Sequence, residues 1–211
     1  MRVVKEAEER KNEILDVAER LFTVKGFDNT STNDILKEIG IARGTLYYHF
    51  KSKEDILDAM IERITDRFTR AAESIAKKKE VPVLQRLTMT VMALNVENDP
   101  ESEIMEQIHK PQNALMHQKM QECMLSRVNP ILTGLIEEAI EQGICNTAYP
   151  SETIEMVMLY STTVFDTLSE HSKEEREQKI AAFVYNLERL LGMESGELQA
   201  TILPLFQEDS K

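Results

Sequence analysis

Residues 32–53 constrain the fold of this 211-residue chain more than any other part of it. Ser31 and Asp34 have the spacing of a capping box, which predicts that a helix begins directly after Ser31. Gly40 has the left-handed role that ends helices, and a second short helix is expected over about residues 43–48. Two short helices joined by a glycine turn predict a helix-turn-helix, whose second helix can lie in the major groove of DNA.

A third, longer helix is predicted to follow the motif. Ser52 and Asp55 repeat the capping-box spacing, so this helix should begin at about Lys53. No helix-breaking residue follows before about Lys79. A helix of about 25 residues is about 38 Å long. It would act as a lever between the helix-turn-helix domain, called the head below, and the rest of the chain. A first helix over residues 5–25 should clamp the motif.

The side chains of the second helix suit DNA recognition. Arg43 lies in its first turn, where a guanidinium group can reach O6 and N7 of guanine, so its truncation should weaken base-specific binding. Gly44 lets the backbone approach closely, and Thr45 offers a methyl and a hydroxyl group. Other donors can bond to phosphate oxygens, and the loss of Tyr47 or Lys53 should weaken binding to all sequences. The candidate DNA-binding residues are Thr32, Arg43, Gly44, Thr45, Tyr47, Tyr48, His49, Lys51 and Lys53.

Over about residues 10–60 the chain resembles the tetracycline repressor (TetR) family of transcriptional regulators. Glycines, caps, aromatic residues and apolar positions all fall in one register. The matching pieces are Gly26-Phe27, Thr30-Ser31-Thr32, Asp34-Ile35, Gly40-Ile41, Gly44-Thr45-Leu46-Tyr47-Tyr48-His49-Phe50 and Lys51-Ser52-Lys53-Glu54.

The resemblance implies a homodimeric regulator that binds a palindromic operator in double-stranded DNA, and we expect it to act as a repressor. It also implies a helical body in which a small-molecule effector moves the lever helix. One departure from the family is Ala42, where many members have Ser or Thr. Alanine cannot cap the second helix, at a cost of about 1 kcal/mol, and it removes one possible phosphate contact.

Composition and periodicity predict an all-α fold. The chain has only seven Gly and six Pro, and its apolar residues recur at helical spacing. We expect about nine to ten helices, in a helix-turn-helix DNA-binding domain over residues 1–53 and a helical ligand-binding and dimerisation domain over residues 54–211. The second domain is called the body below. Its later helices are expected at about 82–97, 101–109, 111–142, 151–170, 173–191 and 197–206, with a kink or break at Pro130 and Gly134.

The acidity of the chain lies outside the predicted head. The formal net charge is −12 at pH 7, which is unusual for a DNA-binding protein. Residues 1–53 hold 10 Lys and Arg against 9 Asp and Glu, whereas residues 54–211 hold 15 against 28. We therefore expect a focused basic patch on the second and third helices, and an acidic body that the duplex repels.

The expected location of the protein is the cytoplasm, without membrane association. No apolar core follows the positive charges at the start, as a signal peptide would require. No apolar run is long enough to span a bilayer. The two cysteines, Cys123 and Cys145, make no disulfide framework.

Two helices of the body are predicted to form the homodimer. Helix-turn-helix proteins read palindromic DNA as dimers, so some part of the body must self-associate. The helices at 151–170 and 173–191 have broad apolar faces and a short connection, which favours a four-helix interface. The alternative is that these faces pack on the rest of the monomer.

Residues 80–165 are rich in methionine, which lines adaptable apolar surfaces and also fills ordinary cores. The pocket interpretation predicts a small, apolar effector that contacts methionines and a few polar or aromatic side chains. The core interpretation requires no ligand. The candidate ligand-binding residues are Phe68, Met89, Met92, Asn95, Met105, His109, Asn113, Met116, His117, Met120, Met124, Tyr160 and Phe165.

No other chemistry is indicated by the sequence. His109, His117, Cys123 and Cys145 are spaced too irregularly for a compact metal site, so we expect no metal and no cofactor. No catalytic or nucleotide-binding fingerprint is present, so no catalytic residue is assigned and the chain is not expected to be an enzyme. Two alternatives stay open, an enzyme that uses the body pocket and an adaptor whose head binds another protein.

Overall fold

The computed structural model describes residues 2–94, 110–165 and 171–202. Within these ranges every regular element is helical, which confirms the all-α prediction. The predicted helix at 101–109 lies outside the described residues. The helices are α1 (Arg2–Lys25), α2 (Thr32–Ile39), α3 (Arg43–His49), α4 (Lys53–Ala76), α5 (Val83–Leu94), a 3₁₀ turn (Pro111–Asn113), α6 (Ala114–Glu141), α7 (Pro150–Phe165), α8 (Lys173–Leu190) and α9 (Glu197–Ile202).

The helix-turn-helix begins and ends where its local signals predicted. Ser31 and Asp34 form a reciprocal capping box at the start of α2, and Gly40 ends α2 in the left-handed conformation with φ 74°. Ala42 caps α3 without a side-chain hydrogen bond, as expected for alanine. At the start of α4, the Asp55 N–H donates to the Ser52 hydroxyl at 3.0 Å.

Two boundary predictions need correction. Helix α4 ends at Ala76 rather than near Lys79, because the chain then enters tight turns in which the Val81 N–H donates to the Lys78 carbonyl. The sequence predicted a kink or a break at Pro130 and Gly134; helix α6 contains both residues without a break, and a kink stays a prediction. A proline removes one backbone hydrogen bond, but Val128 and Leu132 beside it are buried, and their packing holds the helix together.

The chain forms two compact units. The first comprises Met1–Arg67 and Val96–Cys123, and the second comprises Phe68–Asn95 and Met124–Lys211. Helices α4 and α6 each contribute residues to both units. The boundary predicted after residue 53, between a DNA-binding domain and a ligand-binding and dimerisation domain, stays a prediction. None of the described helices combines the length and apolarity that a membrane span requires.

The first unit buries the apolar faces of the three head helices together with α4. Phe22 and Phe27 pack edge to face, with ring centroids 5.1 Å apart. Leu46 from α3 and Phe50 close the same core, and both are buried. Helix α3 is therefore fixed to the head by its inner face, and its outer face is left available.

The second unit has its own apolar core with a buried ion pair at its edge. The core residues are Val83, Leu87, Val128, Leu132, Leu135, Ile136, Ala139, Cys145, Ile154, Val184, Leu187, Leu191 and Leu198. Arg86 is 1% exposed and donates to the carbonyls of Val81 and Ala76 at 2.9 and 2.8 Å and to the Glu138 carboxylate. The Arg86 guanidinium, followed by the Lys79 ammonium, lowers the pKa of Glu138 to about 2.

Candidate nucleic-acid interface

Helix α3 has one anchored face and one exposed face. Leu46 is 1% exposed and fixes the helix to the core of the first unit. Arg43, Gly44, Tyr47 and Tyr48 are exposed, and the spacing of four residues within the pairs 43/47 and 44/48 places them on one side of the helix. The exposed face therefore carries four of the nine residues that the sequence assigned to DNA.

Arg43 and Tyr47 are in contact on this exposed face. The guanidinium carbon of Arg43 lies 5.4 Å from the centroid of the Tyr47 ring. Hydrogen bonds with Thr32 and then with Arg43 lower the pKa of the Tyr47 hydroxyl. Thr32 is the first residue of α2, so residues of both helices of the motif influence the Tyr47 hydroxyl.

The other candidates surround this contact. Tyr48 is 79% exposed, and its ring packs edge to face on His49 with centroids 5.0 Å apart. Lys51 has an exposed side chain, and its backbone N–H donates to the Asp55 carboxylate at 2.9 Å. Thr45 is half-buried. Tyr48 and Lys51 therefore present the most accessible donors.

Lys53 is engaged within the protein. Its Nζ donates to the backbone carbonyl of Phe27 at 2.8 Å and lies 4.0 Å from the centroid of the Phe27 ring. Lys53 therefore ties the start of α4 to the turn between α1 and α2. Sequence reasoning missed this contact because the two residues are 26 positions apart.

The turn between α1 and α2 is also held by the segment before α6. The Asn113 side-chain oxygen accepts a hydrogen bond from the Phe27 N–H at 3.2 Å. Gly26 has φ +86°, and a Cβ there would lie 2.9 Å from the Gln112 Cγ. Asn113 is fully buried, and its amide oxygen accepts a hydrogen bond from the backbone of the head, while its predicted contact with a ligand stays a prediction.

The other candidate ligand-binding residues are divided between the two units. Met116 and Met120 are buried in the first unit, where His117 is half-buried. In the second unit Phe68 is buried, Met124 is half-buried and Met89 and Met92 are exposed on α5. Tyr160 is exposed and stacks on Phe183, with centroids 5.7 Å apart. The remaining candidates, which lie outside the residues or side chains that the structure describes, are Asn95, Met105, His109 and Phe165.

The two cysteines differ in their surroundings. Cys145 is buried, and burial raises the pKa of its thiol to about 11, with a smaller contribution from Glu197. The Cys123 sulfur lies 3.2 Å from the Thr65 hydroxyl. A raised thiol pKa disfavours the reactive thiolate, so Cys145 acts as a core residue.

Comparison with known families agrees with this geometry. The family described as bacterial regulatory proteins of the tetR family matches residues 14–60. A second family, the tetracyclin repressor-like C-terminal domain, matches residues 96–185. The chain belongs to the TetR family. The match over residues 14–60 confirms the resemblance seen in residues 10–60.

Individual relatives of this TetR-family chain match either its head or its fold. An HTH-type transcriptional regulator of Staphylococcus aureus (strain USA300) is 45% identical over 64 residues, which are 30% of this chain and 35% of that relative. The chain therefore spans about a third of the length of the curated relatives that it matches. A TetR-family regulator from Pectobacterium atrosepticum shares the fold with a TM-score of 0.60 at 24% identity, covering 89% of this chain and 94% of that one.

A further solved structure, of RolR in complex with the ligand resorcinol, has a TM-score of 0.65 at 16% identity, covering 95% of this chain and 96% of that one. A gamma-butyrolactone receptor has a TM-score of 0.57 at 17% identity, covering 93% of this chain and 94% of that one. At these identities the likeness concerns the fold.

Proposed function

We propose that this TetR-family chain is a homodimeric repressor, released from a palindromic operator when a small, apolar ligand binds its body. The observation that carries the proposal is the outer face of α3, where Arg43 lies against Tyr47 while Leu46 holds the helix from inside. An anchored helix with an exposed arginine in its first turn suits entry into the major groove. Such a regulator acts in the cytoplasm.

The contacts with DNA divide into two kinds. Arg43 reads a guanine through its bidentate guanidinium group, and Thr45 contacts a neighbouring base or phosphate. Tyr48 and Lys51 bind phosphate oxygens, because their exposed donors flank α3. Phosphate contacts position the protein on any duplex, whereas the Arg43 contact selects the sequence.

Exposed apolar side chains on α7 and α8 support the homodimer. A contiguous apolar surface on a helical body is typical of a protein interface. Pairing α7 and α8 with the same helices of a second copy would make a four-helix interface. The exposed apolar residues of these two helices include Met156, Leu159, Tyr160, Tyr185 and Leu190.

Leu159→Glu is expected to convert the dimer into a monomer, because burying an unpaired carboxylate at the interface is costly. The two recognition helices would no longer be linked, so operator binding should weaken roughly 10- to 100-fold. Light scattering gives the oligomeric state and fluorescence anisotropy the affinity. Ser151→Glu, which adds the same charge at an exposed site on α7, is the control. A dimeric Leu159→Glu variant would contradict the proposed interface.

The fold neighbours support a small-molecule effector. One was solved with resorcinol bound, and another is described as a gamma-butyrolactone receptor. Both descriptions name small organic molecules as ligands. In the proposed mechanism the effector binds better to a body conformation whose recognition helices have the wrong spacing, and so shifts the population away from DNA binding.

The test of this function is a footprint of the purified protein on its own upstream region at moderate salt. A protected palindrome is the expected result, and small organic molecules that remove the protection would identify the effector. Weak, salt-sensitive binding without a protected site, on this region and on a library of random duplexes, would contradict the proposal.

Arg43→Ala is expected to weaken operator binding roughly 10- to 100-fold, the value of one bidentate base contact. Binding to a scrambled duplex should change far less. Lys51→Ala is the matched control, since loss of a phosphate contact should weaken both duplexes and reduce the salt slope by about 1. Equal losses on operator and scrambled DNA for Arg43→Ala would rule out base readout by this arginine.

A further inference from the structure

An exposed arginine loses conformational freedom when it binds a base. This loss weakens binding unless another group already restricts the side chain in the free protein. Fixing its rotamers on binding costs side-chain entropy. In this chain Arg43 is exposed, but its guanidinium carbon lies 5.4 Å from the centroid of the Tyr47 ring one turn later. Such stacking restricts the guanidinium group, and restriction before binding increases affinity.

Tyr47 also interacts with the other helix of the motif. Side-chain hydrogen bonding, first with Thr32 and then with Arg43, holds the pKa of the Tyr47 hydroxyl below its usual value. Thr32 opens α2, and Tyr47 lies in α3. The ring that contacts Arg43 therefore belongs to a side chain that both helices of the motif influence.

We propose that Tyr47 is a positioning residue that sets the orientation of the Arg43 guanidinium for base readout and thereby contributes to sequence specificity. The proposal rests on the proposed DNA-binding function and deepens it. A tyrosine that only donates to phosphate contributes equally on every sequence. A tyrosine that acts through Arg43 contributes only where Arg43 meets its base, and contributes nothing once Arg43 is removed.

The experiment separates these two roles with the full-length protein. A library of random 30-base-pair duplexes is first selected by the wild-type protein to give its preferred sequence. The affinities of four proteins for that duplex and for a scrambled one are then measured by anisotropy. The four are the wild type, Tyr47→Leu, which removes the ring, Arg43→Ala and the double variant. Tyr48→Leu, the same change at a more exposed neighbour, is the control.

Tyr47→Leu is expected to weaken binding to the selected duplex roughly 2- to 5-fold, the value of one exposed cation–π contact. Binding to the scrambled duplex should be unchanged, and Tyr47→Leu should have no further effect in the Arg43→Ala background. Tyr48→Leu should leave the ratio of the two affinities as it is in the wild type.

Three results would overturn the proposal. Equal losses on both duplexes, additive with Arg43→Ala, would make Tyr47 a phosphate donor. An unchanged affinity of Tyr47→Leu for the selected duplex would show that the Tyr47 ring has no part in orienting Arg43. If the wild-type protein selects no sequence from the library, the proposed function itself fails, a result distinct from the other two because it precedes any substitution.

Discussion

Glu138→Ala is expected to lower the free energy of unfolding by about 3 kcal/mol, because it leaves the buried Arg86 guanidinium without its anion. Removing one partner of a buried ion pair typically costs about 3–5 kcal/mol. The lower end applies here, since the carbonyls of Val81 and Ala76 still accept hydrogen bonds from Arg86. The shift in the pKa of Glu138 from 4.5 to about 2 corresponds to a similar energy, about 3 kcal/mol.

The measurement is urea unfolding followed by circular dichroism at pH 7, at one protein concentration. Glu73→Ala is the matched control, because Glu73 forms an exposed pair with Lys77 at the end of α4. Exposed pairs of this kind contribute little, so the control should unfold like the wild type. Equal losses of stability in the two variants would contradict a special role for the buried pair.

The same pair predicts the pH dependence of stability. The pKa of Glu138 is about 2 in the folded protein and 4.5 in the reference state. Its stabilising contribution is therefore complete above about pH 5 and is lost as the pH falls from about 4.5 towards 2. The difference in stability between the wild type and Glu138→Ala should narrow over that range. A difference independent of pH would show that the carboxylate charge is not the cause.

The helix-turn-helix could be predicted from sequence because its signals are local. Ser31 and Asp34 are three residues apart, and Gly40 needs no partner to adopt its left-handed conformation. The sequence predicted a kink or a break at Pro130, and no break occurs, because the local cost was weighed without the burial of Val128 and Leu132 beside it. Cap chemistry is visible in a short window, whereas packing depends on residues distant in the chain.

In the candidate site, too, contacts between neighbouring residues could be predicted, whereas contacts between distant residues could not. Arg43 and Tyr47 are four residues apart on one helix, so their proximity follows from helical geometry. Lys53 and Asn113 both bond to Phe27, but their partners lie 26 and 86 residues away. From residue type alone, Lys53 was predicted to bind phosphate and Asn113 to bind a ligand. The exposure of Met89 and Met92 likewise depends on which face of α5 packs inward.

Substitution of Glu188 is expected to have the second large effect on stability. The environment of this residue could not be predicted from the sequence. Its side chain is 2% exposed and accepts backbone N–H bonds from Gly196 at 3.0 Å and from Leu198 and Gln199 at 2.9 Å. These donors lie at the start of α9, where helical N–H groups have no partner within the helix. Burial alone would raise the pKa of Glu188, but these bonds hold it below its usual value.

Glu188→Ala is expected to lower the free energy of unfolding by about 3 kcal/mol, because it leaves three backbone donors without their acceptor. Hydrogen exchange should accelerate first at Leu198 and Gln199, since α9 loses its only described carboxylate cap. Glu194→Ala is the control, because Glu194 lies in the same region with an exposed side chain.

Glu188→Gln separates charge from hydrogen bonding in this cap. The amide keeps one acceptor oxygen but brings an NH₂ group towards backbone donors, so its stability should fall between those of the wild type and Glu188→Ala. Unchanged exchange at Leu198 and Gln199 in Glu188→Ala would contradict the capping role. In that case the burial of Leu198 in the core would be sufficient to hold α9, and the Glu188 carboxylate would not stabilise the helix.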